Sequence, residues 1–260
     1  MQTGICLFGA AAIRQHHDHK SEMVSQLLFG ECARIVDGNK EWLQVKTVHD
    51  DYPGWVAKNQ LHILDDDGFL QNGRHLVSTS SLTRITETTS GADFFISAGS
   101  SFYSDDGIIM TVNGKKFVYE GDLADAGMAL TGYFRETKIP RYALLFLHTP
   151  YLWGGRSEFG IDCSGLTQVV YKMAGINISR DASKQAEKGE PIHLIHEALP
   201  GDLVFFDNEE GMITHAGIIL ENNRVIHAHG RVRIDLIDHQ GIYDAEKQNY
   251  THHLRLIKRF

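Results

Sequence analysis

The chain has 260 residues, 42% of them hydrophobic, with 33 acidic against 25 basic side chains for a net charge of −8. That length can bury more than one core, the modest charge and five prolines exclude extended disorder, and the acidic balance excludes nucleic acid as the expected partner. Three cysteines, Cys6, Cys32 and Cys163, are too few and too odd in number for a disulfide framework and fit a reducing compartment. No stretch reaches the length of a transmembrane helix, so no membrane partner is expected. The apolar start lacks a basic n-region, and Cys6 does not follow a lipoprotein cleavage pattern. The expected location is the cytoplasm, although removal of an export signal would leave the same chain.

Residues 1–65 read as a small β domain. Leu27-Leu-Phe-Gly-Glu31, Ala33-Arg-Ile-Val36, Trp42-Leu-Gln-Val-Lys46 and Gly54-Trp-Val-Ala57 are short β-prone runs parted by Gly, Asn and Asp turns. The loop His16-His-Asp-His19 has the composition of a metal cluster, but four tetrahedral ligands are not evident, so no metal and no cofactor is expected. Asp65-Asp-Asp-Gly68 reads as a linker. Residues 66–125 repeat the β character more loosely, and Asn113-Gly114 suits a type I′ hairpin turn before Lys116-Phe-Val-Tyr119. From 126 to 260 lies a third region, which opens with a predicted helix over Ile139 to His148 leading into Tyr151.

Within that region, Leu166, Val169, Val170, Met173 and Ala174 recur at helical spacing, and Gly175 supplies a stop. Cys163 therefore falls in a first helical turn, with Asp162 or Ser164 as cap. Free amides and the helix dipole favour a thiolate there, the setting of a nucleophile, whereas a buried structural thiol is the commoner fate of a lone cysteine. Gly154, Gly155 and Gly160 let backbone pass close to a substrate or take positive φ. Ile213 to Leu220 and Val225 to His229 read as a hairpin turning at Asn222-Asn223. A strict two-residue loop would put His215 and His227 on opposite faces; a three-residue turn or a bulge would bring them, and His229, to one face.

Five blocks carry a resemblance: Pro150-Tyr-Leu-Trp-Gly-Gly155, Gly160-Ile-Asp-Cys-Ser-Gly-Leu166, Arg180-Asp-Ala-Ser183, Leu199-Pro-Gly-Asp-Leu-Val-Phe-Phe206 and His215-Ala-Gly-Ile. In this order and spacing they resemble NlpC-type cysteine peptidases over residues 140–260. The resemblance implies an α+β, papain-like catalytic domain that cleaves the γ-D-glutamyl to diamino-acid bond of cell-wall peptides. It implies Cys163 as nucleophile, His215 as its base, and the polar residue twelve positions on, His227, as orienting third member. It also implies Tyr151 beside the nucleophile as an oxyanion donor. Asp162 and Ser164 flank the thiol, where substrate contact and helix capping explain them about equally. Asp181 is open in the same way.

The segments Ser21-Glu-Met-Val-Ser-Gln and Asp51-Tyr-Pro-Gly-Trp-Val resemble a bacterial SH3-like domain, and 66–125 is read as a second, divergent SH3-like barrel. Two such domains before an NlpC-type domain resemble murein-peptide recycling enzymes, in which the first barrel gates the groove. Glu22 and Tyr52, with Asp181, would then hold the ammonium of an N-terminal L-Ala; a solvated charge at Glu22 and turn packing of Tyr52 against Trp55 are the plainer readings. The expected partner is a murein peptide, L-Ala-γ-D-Glu-L-diamino acid. The alternatives are a secreted hydrolase of intact wall, in which the SH3-like domains tether, and a non-catalytic wall-binding protein, against which the joint retention of Cys163, His215 and His227 argues. The same pair also supports acyl transfer to acceptors other than water.

Overall fold

The computed structural model describes residues 2–66, 68, 74–104 and 106–260. The chain folds as two compact units, one of residues 1–128 with 153–159, the other of residues 129–152 with 160–260. The expected boundary at 65/66 falls inside the first unit. Asp67, in the expected linker, lies outside the described residues.

In the first unit, β1 (Thr3–Ile5), β2 (Ala10–Arg14), β3 (Met23–Leu28), β4 (Cys32–Gly38), β5 (Trp42–Thr47), β6 (Pro53–Ala57) and β7 (His62–Ile63) form one antiparallel sheet in the order β3-β2-β6-β5-β4-β1-β7. After it come β8 (His75–Ser78), β9 (Thr83–Glu87), β10 (Ala92–Ile96), β11 (Ser101–Tyr103), β12 (Ile109–Val112), β13 (Lys115–Tyr119) and β14 (Leu123–Asp125). They pair as a four-stranded sheet β10-β9-β13-β12 and a three-stranded sheet β11-β8-β14. Asn113 and Gly114 join β12 to β13 with φ of 47° and 77°, the two positive values a type I′ turn demands. Ile5, Leu7, Phe29 and Leu64 share one apolar cluster with Leu76, Ile85, Phe102 and Phe117, so both β regions draw on a common core.

Residues 153–159, which carry β15 (Arg156–Ser157), are built into this unit by polar groups. Fully buried Arg156 donates through NH1 and NH2 to Glu31 Oε2 and Oε1 at 2.6 and 3.0 Å. Glu158 accepts from the Ala98 and Leu82 amides at 2.8 and 3.0 Å. Gly154 has φ +76°, and a Cβ there would stand 2.2 Å from the Met23 carbonyl oxygen. Its missing side chain thus admits a neighbouring backbone of the same unit, and its positive φ is the second of the two roles the sequence offered, beside close approach to substrate.

The second unit begins with α1 (Gly132–Leu144) and continues through β16 (Gly160–Ile161), α2 (Cys163–Met173), α3 (Ala182–Ala186) and β17 (Glu190–Ile192). The helix predicted over Ile139 to His148 starts earlier and ends sooner, at Leu144. Residues 132–134 and 136–138 are mostly exposed and carry no apolar stripe, and Pro140 is accommodated inside α1.

The strands β18 (Leu203–Asp207), β19 (Ile213–Leu220), β20 (Arg224–His229), β21 (Arg231–Ile237), β22 (Gly241–Asp244) and β23 (Asn249–Arg259) follow in antiparallel sequence. Because β23 pairs with both β18 and β22, these six strands close on themselves, with β17 added along β23. Val204, Phe206, Ile219, Val225, Ile237, Ile242 and Ile257 form one apolar cluster of this sheet. Helix α2 is buried along its whole length and packs on β19 and β20. Gly175, at φ +73°, ends it.

The Asp202 carboxylate ties the unit together. It is fully buried and accepts from Arg135 NH2 at 3.0 Å, Arg259 Nε and NH2 at 2.9 and 2.7 Å, and the Leu199 amide at 2.8 Å.

Candidate active site

Cys163 is the first residue of α2, and Asp162 is its N-cap, with Oδ1 accepting from the Gly165 amide at 2.7 Å. Both Asp162 oxygens are also taken by Arg180, whose NH1 and NH2 donate at 3.0 and 2.5 Å. Arg180 NH1 further donates to Ser164 Oγ at 2.8 Å. Asp162 and Ser164 are therefore both engaged in shaping the start of the helix. Arg180 lies in a motif block but is not singled out by the sequence, since its contact with Asp162, 18 residues away, follows only from the fold.

Cys163 is buried, with 7% of the residue exposed. Burial, with the Asp162 charge next, pushes the thiol up to about 11, against the pull of the Ala216 and Ser164 amides and Arg180. The sequence expected a helix N-terminus to depress it. Burial outweighs that influence, and the resting group is a thiol. The Ala216 amide facing the sulfur sets the thiol against β19 at the residue next to His215.

The β19–β20 hairpin resolves the question of faces. Leu220 pairs with Arg224 and Gly217 with His227, so Glu221, Asn222 and Asn223 form a three-residue loop. His215, two residues from Gly217, consequently shares a face with His227 and His229. His215 Nε2 lies 2.9 Å from His227 Nδ1, and the rings meet edge to face. His227, not His229, makes that hydrogen bond.

Two neighbours were not anticipated. Asp235 Oδ2 lies 2.8 Å from His227 Nε2. The His252 ring stacks on His215 with centroids 4.2 Å apart. The sequence does contain a signal for Asp235. Gly230 makes a tight turn between His229 and Arg231, and that register puts Arg233 opposite His227 with Asp235 diagonal to it on the same face. His252, on a distant strand, has none.

Electrostatically, all three imidazoles are held neutral. Burial drives His215 well below the ordinary histidine value, and His227, His252 and His229 add to the effect. Burial likewise lowers His227 against the opposing pull of Asp235, and lowers His252 to about 4. Tyr151 is more than a third exposed, and burial followed by the Cys163 and Asp162 charges raises its hydroxyl to about 12, so it is a hydrogen-bond donor beside the nucleophile position. Its placement follows from a parallel bridge to Ile161, two residues before the thiol. Asp181 precedes α3, is exposed, and makes no side-chain cap hydrogen bond.

In the first unit, Glu22 accepts from Trp153 Nε1 at 2.5 Å, and Tyr52 is half-buried with its amide on Thr47 Oγ1 at 2.8 Å. His17 and His19 of the histidine-rich loop rest against Trp55 and Trp42. Among the described residues no group of three or more His, Cys, Asp or Glu side chains is placed to hold a metal ion.

Residues 148–255 match the NlpC/P60 family, and residues 13–61 match the bacterial dipeptidyl-peptidase SH3 domain. The γ-D-glutamyl-L-lysine dipeptidyl-peptidase of Bacillus subtilis (strain 168) is 30% identical over 227 residues, covering 78% of this chain and 71% of that protein. Dipeptidyl-peptidase 6 of Lysinibacillus sphaericus is 27% identical over 248 residues, 86% of this chain and 87% of that one. Among solved structures, an NlpC/P60 family protein from Bacillus cereus ATCC 10987 superposes with a TM-score of 0.83 over 99% of both chains at 20% identity, a likeness of fold.

Proposed function

Because the chain belongs to the NlpC/P60 family, we propose that it is a cysteine peptidase hydrolysing the bond between γ-D-glutamate and the following L-diamino acid in free murein peptides, with release of L-Ala-γ-D-Glu. The observation that carries the catalytic part is a thiol at the head of α2 against the strand that bears a hydrogen-bonded pair of neutral imidazoles. Relatives that align over most of their length and are named dipeptidyl-peptidases of a γ-D-glutamyl-L-lysine bond support the substrate class.

In this reading Cys163 Sγ attacks the γ-carbonyl carbon as His215 takes the thiol proton. Starting from a neutral pair, proton transfer accompanies attack instead of preceding it. The oxyanion is met by the Cys163 amide and the Tyr151 hydroxyl. His215 returns the proton to the leaving amine, and water, deprotonated by the same ring, cleaves the thioester. His227 orients His215 throughout. A papain-like arrangement of nucleophile helix and antiparallel sheet suits this chemistry. The finer proposal is that the peptide carries a free N-terminal L-Ala, whose ammonium is accepted by carboxylate and hydroxyl side chains. It rests on the relatives' dipeptidyl specificity, and on the chemical need of a cation for carboxylate and hydroxyl acceptors.

The test is product analysis with L-Ala-γ-D-Glu-L-Lys and its diaminopimelate counterpart. Wild type is expected to release L-Ala-γ-D-Glu, and folded Cys163→Ala to release none; unchanged turnover by that variant removes the nucleophile. N-acetylated tripeptide is expected to resist. Equal cleavage of glycan-linked stems would replace this reading with that of a hydrolase of intact wall.

A further inference from the structure

The imidazole pair does not end at His227. Asp235 Oδ2 stands 2.8 Å from His227 Nε2, and Arg233 grips the same carboxylate, Nε on Oδ2 at 2.6 Å and NH2 on Oδ1 at 2.7 Å. Burial acts to raise Asp235, but the hydrogen bonds from His227 and Arg233 prevail and hold it below the ordinary carboxylate value. At neutral pH it is therefore an anion, with lone pairs alone to offer.

From that point the protons of the whole chain are determined. Facing a carboxylate, His227 Nε2 must carry hydrogen. His227 is neutral, so its Nδ1 is bare and can only accept. His215 Nε2, 2.9 Å away, must then be the donor. His215 is neutral too, so its remaining nitrogen, Nδ1, is the bare one.

We propose that Asp235 is a positioning residue that, acting through His227, fixes His215 as the Nε2–H tautomer and so makes Nδ1 the base that receives the Cys163 proton. The Sγ–H bond breaks as the Nδ1–H bond forms. The proton on Nε2 stays in place, and the imidazolium charge is stabilised along a relay of two hydrogen bonds ending on an anion. Arg233 keeps that anion ionised and in place. The inference rests on the reading of Cys163 and His215 as the reacting pair, but its direct test needs no substrate.

The test is 15N NMR of the histidine-labelled full chain near pH 7.5, with ring signals assigned through His215→Gln and His227→Gln. Both rings are expected as Nε2–H with bare Nδ1. A protonated Nδ1 on either ring, or an even mixture of tautomers, overturns the proposal whatever the variants do.

Asp235→Ala is expected to mix the tautomers and lower kcat by at least about 10-fold with little change in KM. Asp235→Asn keeps an acceptor oxygen where the Arg233 and His227 donors converge, so it should retain the tautomers and recover part of the loss. Folded Asp235→Ala with wild-type kcat and unchanged ring signals would also overturn the proposal. If wild type cuts no tripeptide while the tautomers are as stated, the functional reading fails and the proton arrangement stands.

Discussion

At the scale of single residues, the site is governed by desolvation. A thiol pushed up to about 11 and an imidazole pushed well below its ordinary value move in opposite directions, away from the spontaneous ion pair that a helix N-terminus alone would favour. The protonation state competent for attack, one proton shared between sulfur and ring, then spans an unusually wide pH range. The kcat/KM profile of the free enzyme should be a broad bell, its acid limb below 6.5 and its alkaline limb above 9, each limb belonging to the coupled pair. A narrow bell centred near neutrality would show that desolvation does not dominate. His252 offers a finer check, since its ring on His215 is one of three whose charge, once they are protonated, opposes protonation there. His252→Phe, which keeps an aromatic face, should move the acid limb upward and leave the alkaline limb in place.

At the scale of elements, α2 shows what holds a nucleophile at a helix start. Asp162 caps it, and Arg180 neutralises the cap with both partners nearly buried. Removing one partner of such a pair strands the other, at about 3–5 kcal/mol. Arg180→Met should lower the unfolding free energy by that order in urea titration. Lys184→Ala, which breaks the exposed, solvent-screened Lys184–Glu187 pair, should leave the urea midpoint nearly unchanged. Near-equal effects would mean the Arg180 clamp is dispensable.

The helix itself was legible, because a 3.6-residue stripe and a glycine stop are local signals. The pairing of His215 with His227 was legible only as a choice between loop lengths. Parity turns on whether Glu221 belongs to the strand or to the turn, and side-chain pattern does not distinguish these. The first turns of α1 were hidden by exposed residues, and His252 by sequence distance, since its place on His215 exists only once β23 pairs with β18. The shared core of the β regions was equally invisible, because Phe29 and Phe117 advertise burial but not each other.

At the scale of the molecule, the six closed strands of the second unit carry three imidazoles that the fold holds neutral, His215, His227 and His252, and this links its stability to pH. In the unfolded chain each titrates near 6.5. Below that value the unfolded state binds protons that the folded state refuses, so the unfolding free energy falls as pH falls, by up to about 1.4 kcal/mol per pH unit for each proton excluded. The folded values all lie lower, His252 at about 4, so the loss begins near pH 6.5 and continues to about that point. Carboxylates such as Asp235, held below their ordinary value, act in the same direction only at lower pH, since their contribution persists until the folded group protonates. The interval between pH 7 and pH 5 therefore isolates the histidines. Calorimetric melting across it should show a steadily falling transition, and His252→Phe should reduce the slope by removing one of the three linked protons. A transition temperature constant from pH 7 to 5 would mean that these rings take up protons in the fold as readily as in water, and the neutral pair on which attack depends would go with it.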